Sequence, residues 1–532
     1  MGEPCGHAAG LTAESAPGAS TARRNQQPLI LWSVLITSNP QTATIAFDNS
    51  YARLPRYFYS RQPPTPVAAP GAIRVNRPLA EALGLDPEWL ASPEGTLVLA
   101  GNIVPEGAEP LAAAYAGHQF GSFNPKLGDG RAVLLGELVS SSGERFDLQL
   151  KGAGRTPYSR GGDGRSPLGP VLREYSVSEA MAALGVPTSR ALAAVTTGET
   201  VVRERILPGA ILARVAHSHI RIGTFEFFAA RENTQALTEL VTHTLQRHYP
   251  EQADAENPAL ALLECAIAAQ ASLISRWQLL GFIHGVMNTD NMLLSGETID
   301  YGPCAFMDSF DPDTVFSSID HGGRYSYRNQ PGIGHWNLAT LAQSLVAVLH
   351  TDPREAVRLA QGAVDTFSDR FLDVHTEGLK RKLGLVTDQP DDAALIEELY
   401  TLMATHKTDF TLTFRRLADL ACPEGEPGRD VAALYALPGE FESWLARWQQ
   451  RLATEAQAPA ERQADMYRAN PVYIPRNHLV QEAISAGEAG DFGPFHQLVD
   501  RLADPWTFTS ADQHYALPPA PGQEVAQTFC GT

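Results

Sequence analysis

Short apolar runs between polar turns fill the first half of this chain, and helical apolar spacing fills the second half. Strands are predicted at 132–138, 145–150, 211–215 and 219–223. A helix is predicted at 170–184, because apolar residues recur at 171, 177, 181 and 184. Further helices are predicted at 79–85, 110–116, 336–350, 353–367, 391–406 and 440–453. The pattern therefore predicts an α+β fold with a strand-containing first half and a mostly helical remainder.

One long helix is predicted just before a polar loop. Asn257 and Pro258 suit the N-cap and the first turn, and apolar residues recur at 263, 266, 267, 274 and 277. The helix is predicted to reach Leu280 and to lead directly into Gly281. Residues 281–302 then hold an apolar entry, a polar turn, a second apolar run and Asp300. This layout predicts two short strands flanking a loop.

Carboxylate and amide side chains are grouped in that loop. Asn288, Asp290 and Asn291 lie in its polar turn, and Asp300 follows Ile299. Hard oxygen ligands of this kind suit Mg²⁺ or Mn²⁺, which leave coordination positions for phosphate oxygens and water. The sequence therefore predicts a phosphate-handling metal site.

The spacing in the loop resembles the catalytic and metal loops of the protein kinase superfamily. His284, Asn291 and Asp300-Tyr301-Gly302 match that pattern. Val286 stands where a kinase has its catalytic aspartate, and a valine cannot accept a proton. Either the chain is an inactive kinase, or its metal and nucleotide residues serve another transfer.

The upstream strands carry a second group of candidate residues. The turn at 128–131, Gly-Asp-Gly-Arg, is by itself an ordinary hairpin feature. Lys151 ends the next strand, as the nucleotide-binding lysine does in kinases, and a second glycine-rich turn follows at 161–165. An ion pair between Lys151 and Glu174, in the first turns of the next helix, would orient the lysine on phosphate oxygens. Arg214 and Arg221 each carry a planar fork suited to phosphate.

Charge and composition narrow the choice of partners. The 60 acidic and 41 basic residues give a net charge of −19, which disfavours nucleic acid and anionic membranes as partners. No run approaches the roughly 18 apolar residues of a membrane span. The five cysteines show neither metal-ligand spacing nor a disulfide framework. We therefore expect a cytoplasmic monomer.

A chain of 532 residues exceeds the roughly 250 to 300 residues of one hydrophobic core. Residues 1–44 are predicted to be a disordered extension, unless they lie upstream of the native start. Residues 45–235 form an N-lobe with the glycine turns, Lys151 and Glu174. Residues 236–505 form a helical C-lobe with the catalytic and metal loop, and residues 506–532 form a flexible tail with Cys530.

Several segments together resemble the SelO family, called YdiU in bacteria. They are 128–131, the long run 148–160 around Lys151, Arg173-Glu174, 284–291 and 299–303. The resemblance covers about residues 45–500, and the run around Lys151 is its most specific part. It implies a kinase-like, two-lobed pseudokinase that binds ATP in a flipped orientation and transfers AMP to protein hydroxyls.

The resemblance also implies roles for individual residues. The nucleotide-binding residues would be Gly128, Gly130, Arg131, Lys151, Asp163, Gly164, Arg214, Arg221 and Asp300. Asn291 and Asp300 would hold the metal, Asp290 would be the proton acceptor, and Glu174 would pair with Lys151.

The chain departs from the family pattern near its end. Many relatives end in selenocysteine or cysteine followed by two serines, whereas Gly531 and Thr532 follow Cys530. Phe316 stands where some bacterial members carry a partner cysteine, and nothing in the sequence supports Cys304 in its place. A regulatory disulfide therefore stays an open question at this stage.

The function predicted is transfer of AMP from ATP to Ser, Thr or Tyr hydroxyls of proteins, with release of pyrophosphate and with UMP transfer left open. Two alternatives remain. A kinase-like phosphotransferase would need a base at position 286, where the chain has Val286. A non-catalytic nucleotide sensor would be expected to lose the metal ligands, yet Asn291 and Asp300 are present.

Overall fold

A computed structural model describes residues 45–422 and 431–529, which form a mixed fold of one eight-stranded antiparallel sheet, two small two-stranded sheets and many helices. The strands are β1 (Tyr59–Arg61), β2 (Gly71–Val75), β3 (Leu111–Ala113), β4 (Gly117–Gln119), β5 (Ser122–Asn124), β6 (Ala132–Val139), β7 (Arg145–Lys151), β8 (Ser166–Pro167), β9 (Arg190–Val202), β10 (Ile206–Ala216), β11 (Phe282–Ile283) and β12 (Ala305–Phe306).

The helices lie mostly after the strands. They are α1 (Arg77–Ala82), α2 (Pro87–Ala91), α3 (Pro93–Leu99), α4 (Leu168–Ala183), α5 (Ile222–Ala229), α6 (Thr234–His248), α7 (Pro258–Leu280), α8 (Gln330–Leu349), α9 (Pro353–Asp365), α10 (Phe367–Leu383), α11 (Asp392–His406), α12 (Phe410–Leu420), α13 (Glu442–Leu452), α14 (Pro459–Ala469), α15 (Asn477–Glu488), α16 (Gly493–Leu502) and α17 (Gln513–Ala516). Single turns of 3₁₀ helix also occur between these elements, and the one at Thr289–Asn291 belongs to the candidate site.

The main sheet has eight strands, in the order β1-β3-β6-β7-β10-β9-β2 with β8 paired to β10. Strand β7 is therefore an interior strand, and its last residue, Lys151, pairs with Ala132 of β6 and Leu212 of β10. An interior position fixes the backbone of Lys151 on both sides. The sheet thus holds this lysine in a defined place.

Helix α4 is covered on two sides. Its apolar residues Leu168, Val171, Leu172 and Tyr175 share one buried cluster with residues of β9 and β10 and with residues of α15 and α16. Glu174 lies on this helix and is buried, with only 3% of its surface exposed. The prediction of a helix at 170–184 is confirmed, and its burial means that Glu174 needs partners inside the protein.

Helix α7 leads the chain into the polar loop, as predicted. The Asn257 side chain accepts a hydrogen bond from the amide of Leu260, and Pro258 occupies the first turn. Gly281 ends the helix in the left-handed region at φ 70°, and a Cβ there would lie 2.8 Å from the ring of Phe410. This packing fixes the point at which the chain enters the loop.

By length and composition alone, helix α7 could also cross a membrane. This differs from the expectation that no run in the sequence approaches the length of a membrane span. Most of the helix is buried inside the protein, where Leu263, Ile267, Ile274 and Trp277 belong to the largest hydrophobic cluster. Its apolar surface therefore serves the core.

Some local predictions were wrong. Residues 110–116 do not form a helix, because Leu111–Ala113 is strand β3, paired with β1 and β6. Residues 219–223 do not form a strand, because Arg221 caps α5 and the helix begins at Ile222. Of the two strands predicted around the polar loop, β11 is present, but its partner is β12, beyond Asp300. In each case tertiary pairing decided the outcome over local propensity.

The last described segment lies beside the polar loop. The amide of Thr528 donates to the carbonyl of Phe316 at 2.8 Å, and its hydroxyl donates to the carbonyl of Pro303 at 2.6 Å. Cys304 is fully buried, and burial raises the pKa of its thiol to about 12. Cys530, the predicted extension 1–44 and residues 423–430 lie outside the described residues. The predicted domain boundaries stay predictions.

A buried arginine joins the helical region to the segment after β12. Arg476 has no exposed surface, and its guanidinium contacts Asp308 at 2.6 Å and Asp409 at 2.5 Å. Removing one member of a buried ion pair leaves the other charge without compensation. Loss of Arg476 alone would therefore be strongly destabilising.

We expect Arg476→Met to destabilise the protein by about 3 to 5 kcal/mol, because Asp409 would stay buried without its partner. Urea denaturation followed by circular dichroism measures the loss. The matched control is Arg358→Met, because Arg358 is 68% exposed and pairs with Glu355 on the surface of α9, so its loss should cost far less stability than the loss of Arg476. Equal stability of the two variants would contradict the expectation.

Candidate active site

The predicted site residues line one cleft. The cleft has a volume of about 290 Å³, close to the lower end for small-molecule sites. Its lining includes Gly128, Gly130, Arg131, Lys151, Asp163, Gly164, Arg214, Arg221, Asp290, Asn291 and Asp300. Residues that lie up to 172 positions apart in the chain, from Gly128 to Asp300, therefore meet around one space.

Lys151 lies between two carboxylates. Its ammonium donates to Glu174 Oε2 and, at 3.1 Å, to Asp300 Oδ1. Glu174 lies on α4 and is not part of the cleft lining, so it contacts the lysine from outside the cleft. The structure thus contains the strand–helix ion pair that the sequence predicts, and it adds Asp300 as a second carboxylate partner.

A chain of charged and amide side chains continues from Glu174 across the base of the cleft. Arg214 Nη1 donates to Glu174 Oε1 at 2.9 Å, and Arg214 Nε donates to Gln149 Oε1 at 2.8 Å. Gln149 Nε2 donates to Asp129 Oδ2 at 3.2 Å, and Asp129 Oδ1 accepts from Arg221 Nη2 at 3.4 Å. One network therefore connects the two arginines to Lys151 and fixes their side chains.

This network changes the interpretation of the two arginines. Arg214 and Arg221 both line the cleft, yet both are buried and bonded to protein groups. Arg221 also donates to the hydroxyl of Tyr115 at 3.1 Å and to the carbonyl of Asp290 at 2.9 Å. Their positive charge acts on the cleft whether or not they touch a ligand. Direct phosphate contact by either arginine stays a prediction.

The cations dominate the electrostatics of the buried carboxylates. Burial alone would raise the pKa of Asp300, but Lys151, Arg131 and Arg214 outweigh it and hold that pKa well below its usual range. Burial likewise opposes ionisation of Glu174, and Lys151 and Arg214 outweigh it, so its pKa is also lowered. Both carboxylates are therefore ionised at neutral pH. Asp300 also has a φ of 67°, which is uncommon for a residue other than glycine.

Two glycine turns shape the opposite wall of the cleft. Gly128 has a φ of 74°, and a Cβ there would lie 2.3 Å from the ring of Tyr158. Gly164 has a φ of 69°, and a Cβ there would lie 2.1 Å from the carbonyl oxygen of Gly154. Asp163, beside it, pairs with Arg203 at 2.9 Å. Close packing of the two turns therefore excludes side chains at both glycines.

Asp290 also lines the cleft and lies in the 3₁₀ turn at Thr289–Asn291. Gln119 Nε2 donates to its Oδ2 at 3.2 Å, whereas Oδ1 is buried and has no hydrogen-bond partner among the described residues. Burial raises the pKa of Asp290 to about 6, although the nearby Arg221 opposes the shift. One carboxylate oxygen is thus held while the other faces no competing donor.

The kinase-like residues of the loop have structural roles that the backbone explains. His284 is buried, and its Nε2 donates to the carbonyl of Ile299 at 2.8 Å. The Asn291 amide nitrogen donates to the carbonyl of Val286 at 3.1 Å. Val286 is itself buried, so its side chain offers nothing to a substrate. At position 286, therefore, only the backbone takes part: its amide donates to His284 Nδ1 at 3.3 Å, and its carbonyl accepts from Asn291.

The donor set in the cleft fits a hard divalent cation. Because the Asn291 amide nitrogen is engaged, its oxygen is the atom left to act as a ligand, and Asp300 adds an ionised carboxylate. Among the described residues there is no group of three or more His, Cys, Asp or Glu suited to a metal. One carboxylate and one amide are what Mg²⁺ or Mn²⁺ takes when phosphates and water complete the shell. Metal binding and the identity of the ion both stay predictions.

Sequence reasoning missed several members of the site. Asp129 lies inside the Gly-Asp-Gly turn, and only its hydrogen bonds to Gln149 and Arg221 show that it anchors the network. Gln119 gave no sequence signal, because its partner is 171 residues away. Arg203 was not among the predicted site residues, and its position beside Asp163 brings it to the cleft.

Comparison with known proteins gives consistent results. A family model described as "Protein adenylyltransferase SelO" matches residues 41–503. A protein named "Protein nucleotidyltransferase YdiU" from Rhodopseudomonas palustris (strain BisB5) is 58% identical over 492 residues, which are 92% of this chain and 100% of that protein. Proteins of the same name from Bradyrhizobium sp. (strain ORS 278) and Rhizobium meliloti (strain 1021) are each 57% identical, over 92% and 91% of this chain and 100% and 99% of their own lengths.

We expect Asp300→Ala to weaken Mg²⁺-dependent binding of a non-hydrolysable ATP analogue by at least roughly tenfold, because one carboxylate serves both the ion and Lys151. Calorimetric titration with and without Mg²⁺ measures the change. The control is Asp373→Ala, an exposed position on α10. Unchanged affinity in the presence of Mg²⁺ would refute the metal assignment of Asp300.

Proposed function

This chain belongs to the SelO family of protein adenylyltransferases, and from that premise we propose that it transfers AMP from ATP to Ser, Thr or Tyr hydroxyls of proteins. The chain is an enzyme, a protein nucleotidyltransferase. The hydroxyl targets, the nucleotide preference and the role of each residue are parts of the proposal.

The observation that carries the proposal is that the loop has a proton acceptor at position 290 and none at position 286. Val286, where a kinase has its aspartate, is buried and has no group that accepts a proton. Asp290, four residues later, lines the cleft with one carboxylate oxygen unpartnered among the described residues. This proton acceptor lies four residues later in the loop than the aspartate of a kinase. We infer that the substrate hydroxyl attacks the triphosphate at a different phosphorus from the one attacked in a kinase.

In the proposed reaction a substrate hydroxyl oxygen attacks the α-phosphorus of ATP. The bond from the α-phosphorus to the oxygen that bridges it to the β-phosphorus breaks, and the β- and γ-phosphates leave as pyrophosphate. Asp290 takes the hydroxyl proton, a role worth about 10² to 10⁴ in rate. The products are AMP-modified protein, pyrophosphate and a proton.

Charge neutralisation supplies most of the remaining catalysis, because phosphoryl-type transfer requires positioning and electrostatic stabilisation more than covalent chemistry. Lys151, Arg131, Arg214 and Arg221 line the cleft and supply positive charge. Asn291 and Asp300 would hold Mg²⁺ or Mn²⁺, and the ion would neutralise phosphate charge and orient the triphosphate. The fixed network behind Lys151 keeps these cations in place before the nucleotide arrives.

We also propose that the architecture is that of a two-lobed kinase-like protein. The antiparallel sheet, Lys151 on its interior strand and the Glu174 partner on α4 correspond to the N-lobe, residues 45–235. The α7–loop–β12 sequence and the helices that follow correspond to the C-lobe, residues 236–505. The order of these parts supports the proposal, because it is the order in which a kinase assembles its nucleotide site.

The test uses ATP labelled on either the α- or the γ-phosphate, with a mixed protein extract as acceptor. We expect label in protein from α-labelled ATP only, because the γ-phosphate leaves in pyrophosphate. Mass spectrometry should find a mass increase of AMP on a hydroxyl residue, and a parallel reaction with α-labelled UTP measures UMP transfer.

Asp290→Ala should reduce α-label transfer by about 10² to 10⁴ with little change in ATP affinity. The control Asp373→Ala should leave transfer unchanged, because its side chain is exposed on α10. Transfer of γ-label without α-label would establish a phosphotransferase, and binding of ATP without transfer of either label would establish a nucleotide sensor.

A further inference from the structure

A small hairpin lies directly on the turn that carries Asp290. Strands β4 and β5 pair only with each other, outside the main sheet. The amide of His118 donates to the hydroxyl of Thr289 at 2.7 Å, and the amide of Phe120 donates to Asn288 Oδ1 at 3.0 Å. The hairpin is thus aligned with the turn by bonds on either side of Gln119.

Between these two bonds, Gln119 contacts the carboxylate itself. Its Nε2 donates to Asp290 Oδ2 at 3.2 Å, and both side chains line the cleft. The other carboxylate oxygen, Oδ1, has no partner among the described residues. Gln119 therefore distinguishes the two oxygens of Asp290.

Gly117 limits the carboxylate from the other direction. A Cβ at this position would lie 2.7 Å from Asp290 Oδ1 and 3.0 Å from its Cβ. Gly117 is not among the described glycines with positive φ, so its backbone would accept an alanine. Gly117 therefore matters because it leaves space for Oδ1; its backbone conformation does not require a glycine.

We propose that Gln119 is a positioning residue: its hydrogen bond to Oδ2, with Oδ1 buried against Gly117, holds the Asp290 carboxylate in one orientation at the cleft. The inference rests on the proposed function, in which Asp290 accepts the proton. The physical reason is geometric: a carboxylate on a short side chain can rotate, and misplacement of a reacting group by about 1 Å can cost about 10²-fold in rate. The hydrogen bond from Gln119 restricts that rotation, and Gly117 leaves room for the selected orientation.

The test compares two variants that change the surroundings of the Asp290 carboxylate and leave Asp290 itself in place. Gln119→Met keeps the length of the side chain and removes the donor, and Gly117→Ala adds a methyl group against Oδ1. We expect each variant to lower kcat for AMP transfer by roughly 10- to 100-fold and to leave the Kd for a non-hydrolysable ATP analogue within about twofold. Melting temperatures identify any variant that fails to fold, and the two variants act through different atoms.

Gln235→Met is the matched control, because Gln235 is exposed on α6 and bonds only to Glu239 among the contacts described for it. It should leave kcat unchanged. An unchanged kcat in a folded Gln119→Met protein would overturn the proposal, and so would an equal loss of nucleotide affinity, which would place Gln119 on the nucleotide. Failure of the wild-type protein to transfer AMP would instead refute the proposed function.

Discussion

The structure of the cleft depends on the buried ion cluster formed by Lys151, Glu174 and Arg214. Glu174 is enclosed between the sheet and the helices that cover α4, so its charge is tolerable only because two cations contact it. The same contacts fix the lysine on β7 and the arginine on β10 relative to α4. Removal of Glu174 would leave two buried cations without the carboxylate that they share, so the sheet, α4 and the cleft are energetically linked.

The cluster also explains how an acidic protein can handle a triphosphate. The whole chain carries a net charge of −19, which would repel a nucleotide at long range. Within the cleft, Arg131, Lys151, Arg214 and Arg221 concentrate positive charge in a space of about 290 Å³. Asp129 and Glu174 compensate part of that charge and hold the arginines in place. The site therefore combines local attraction with a fixed geometry.

Asp300 and Asp290 belong to one loop, yet the pKa values of their carboxylates are shifted in opposite directions. Asp300 contacts Lys151, and the surrounding cations hold its pKa below the usual range, which suits a permanently ionised metal ligand. Asp290 is buried away from direct ion pairs, and its pKa is raised. Both belong to a segment that α7 delivers at Gly281 and that β11 and β12 close. A difference in environment, set by tertiary packing, gives the two carboxylates different properties.

The sequence by itself determined the elements whose signals are local. Helix α7 follows from the cap at Asn257, the proline at 258 and the glycine at 281, and α4 follows from its apolar spacing, because these signals act within one or a few turns. The resemblance to a family also identified many of the residues that line the cleft, since much of that resemblance is carried by short contiguous motifs. Only the tertiary structure decided the rest. Within 110–116 a strand forms in place of the predicted helix, and 219–223 leads into α5. Gln119 contacts Asp290 across 171 residues, and Asp129 contacts Arg221 across 92 residues. Contacts at such separations leave no periodicity in the sequence, because they depend on which surfaces meet when the sheet and helices pack together.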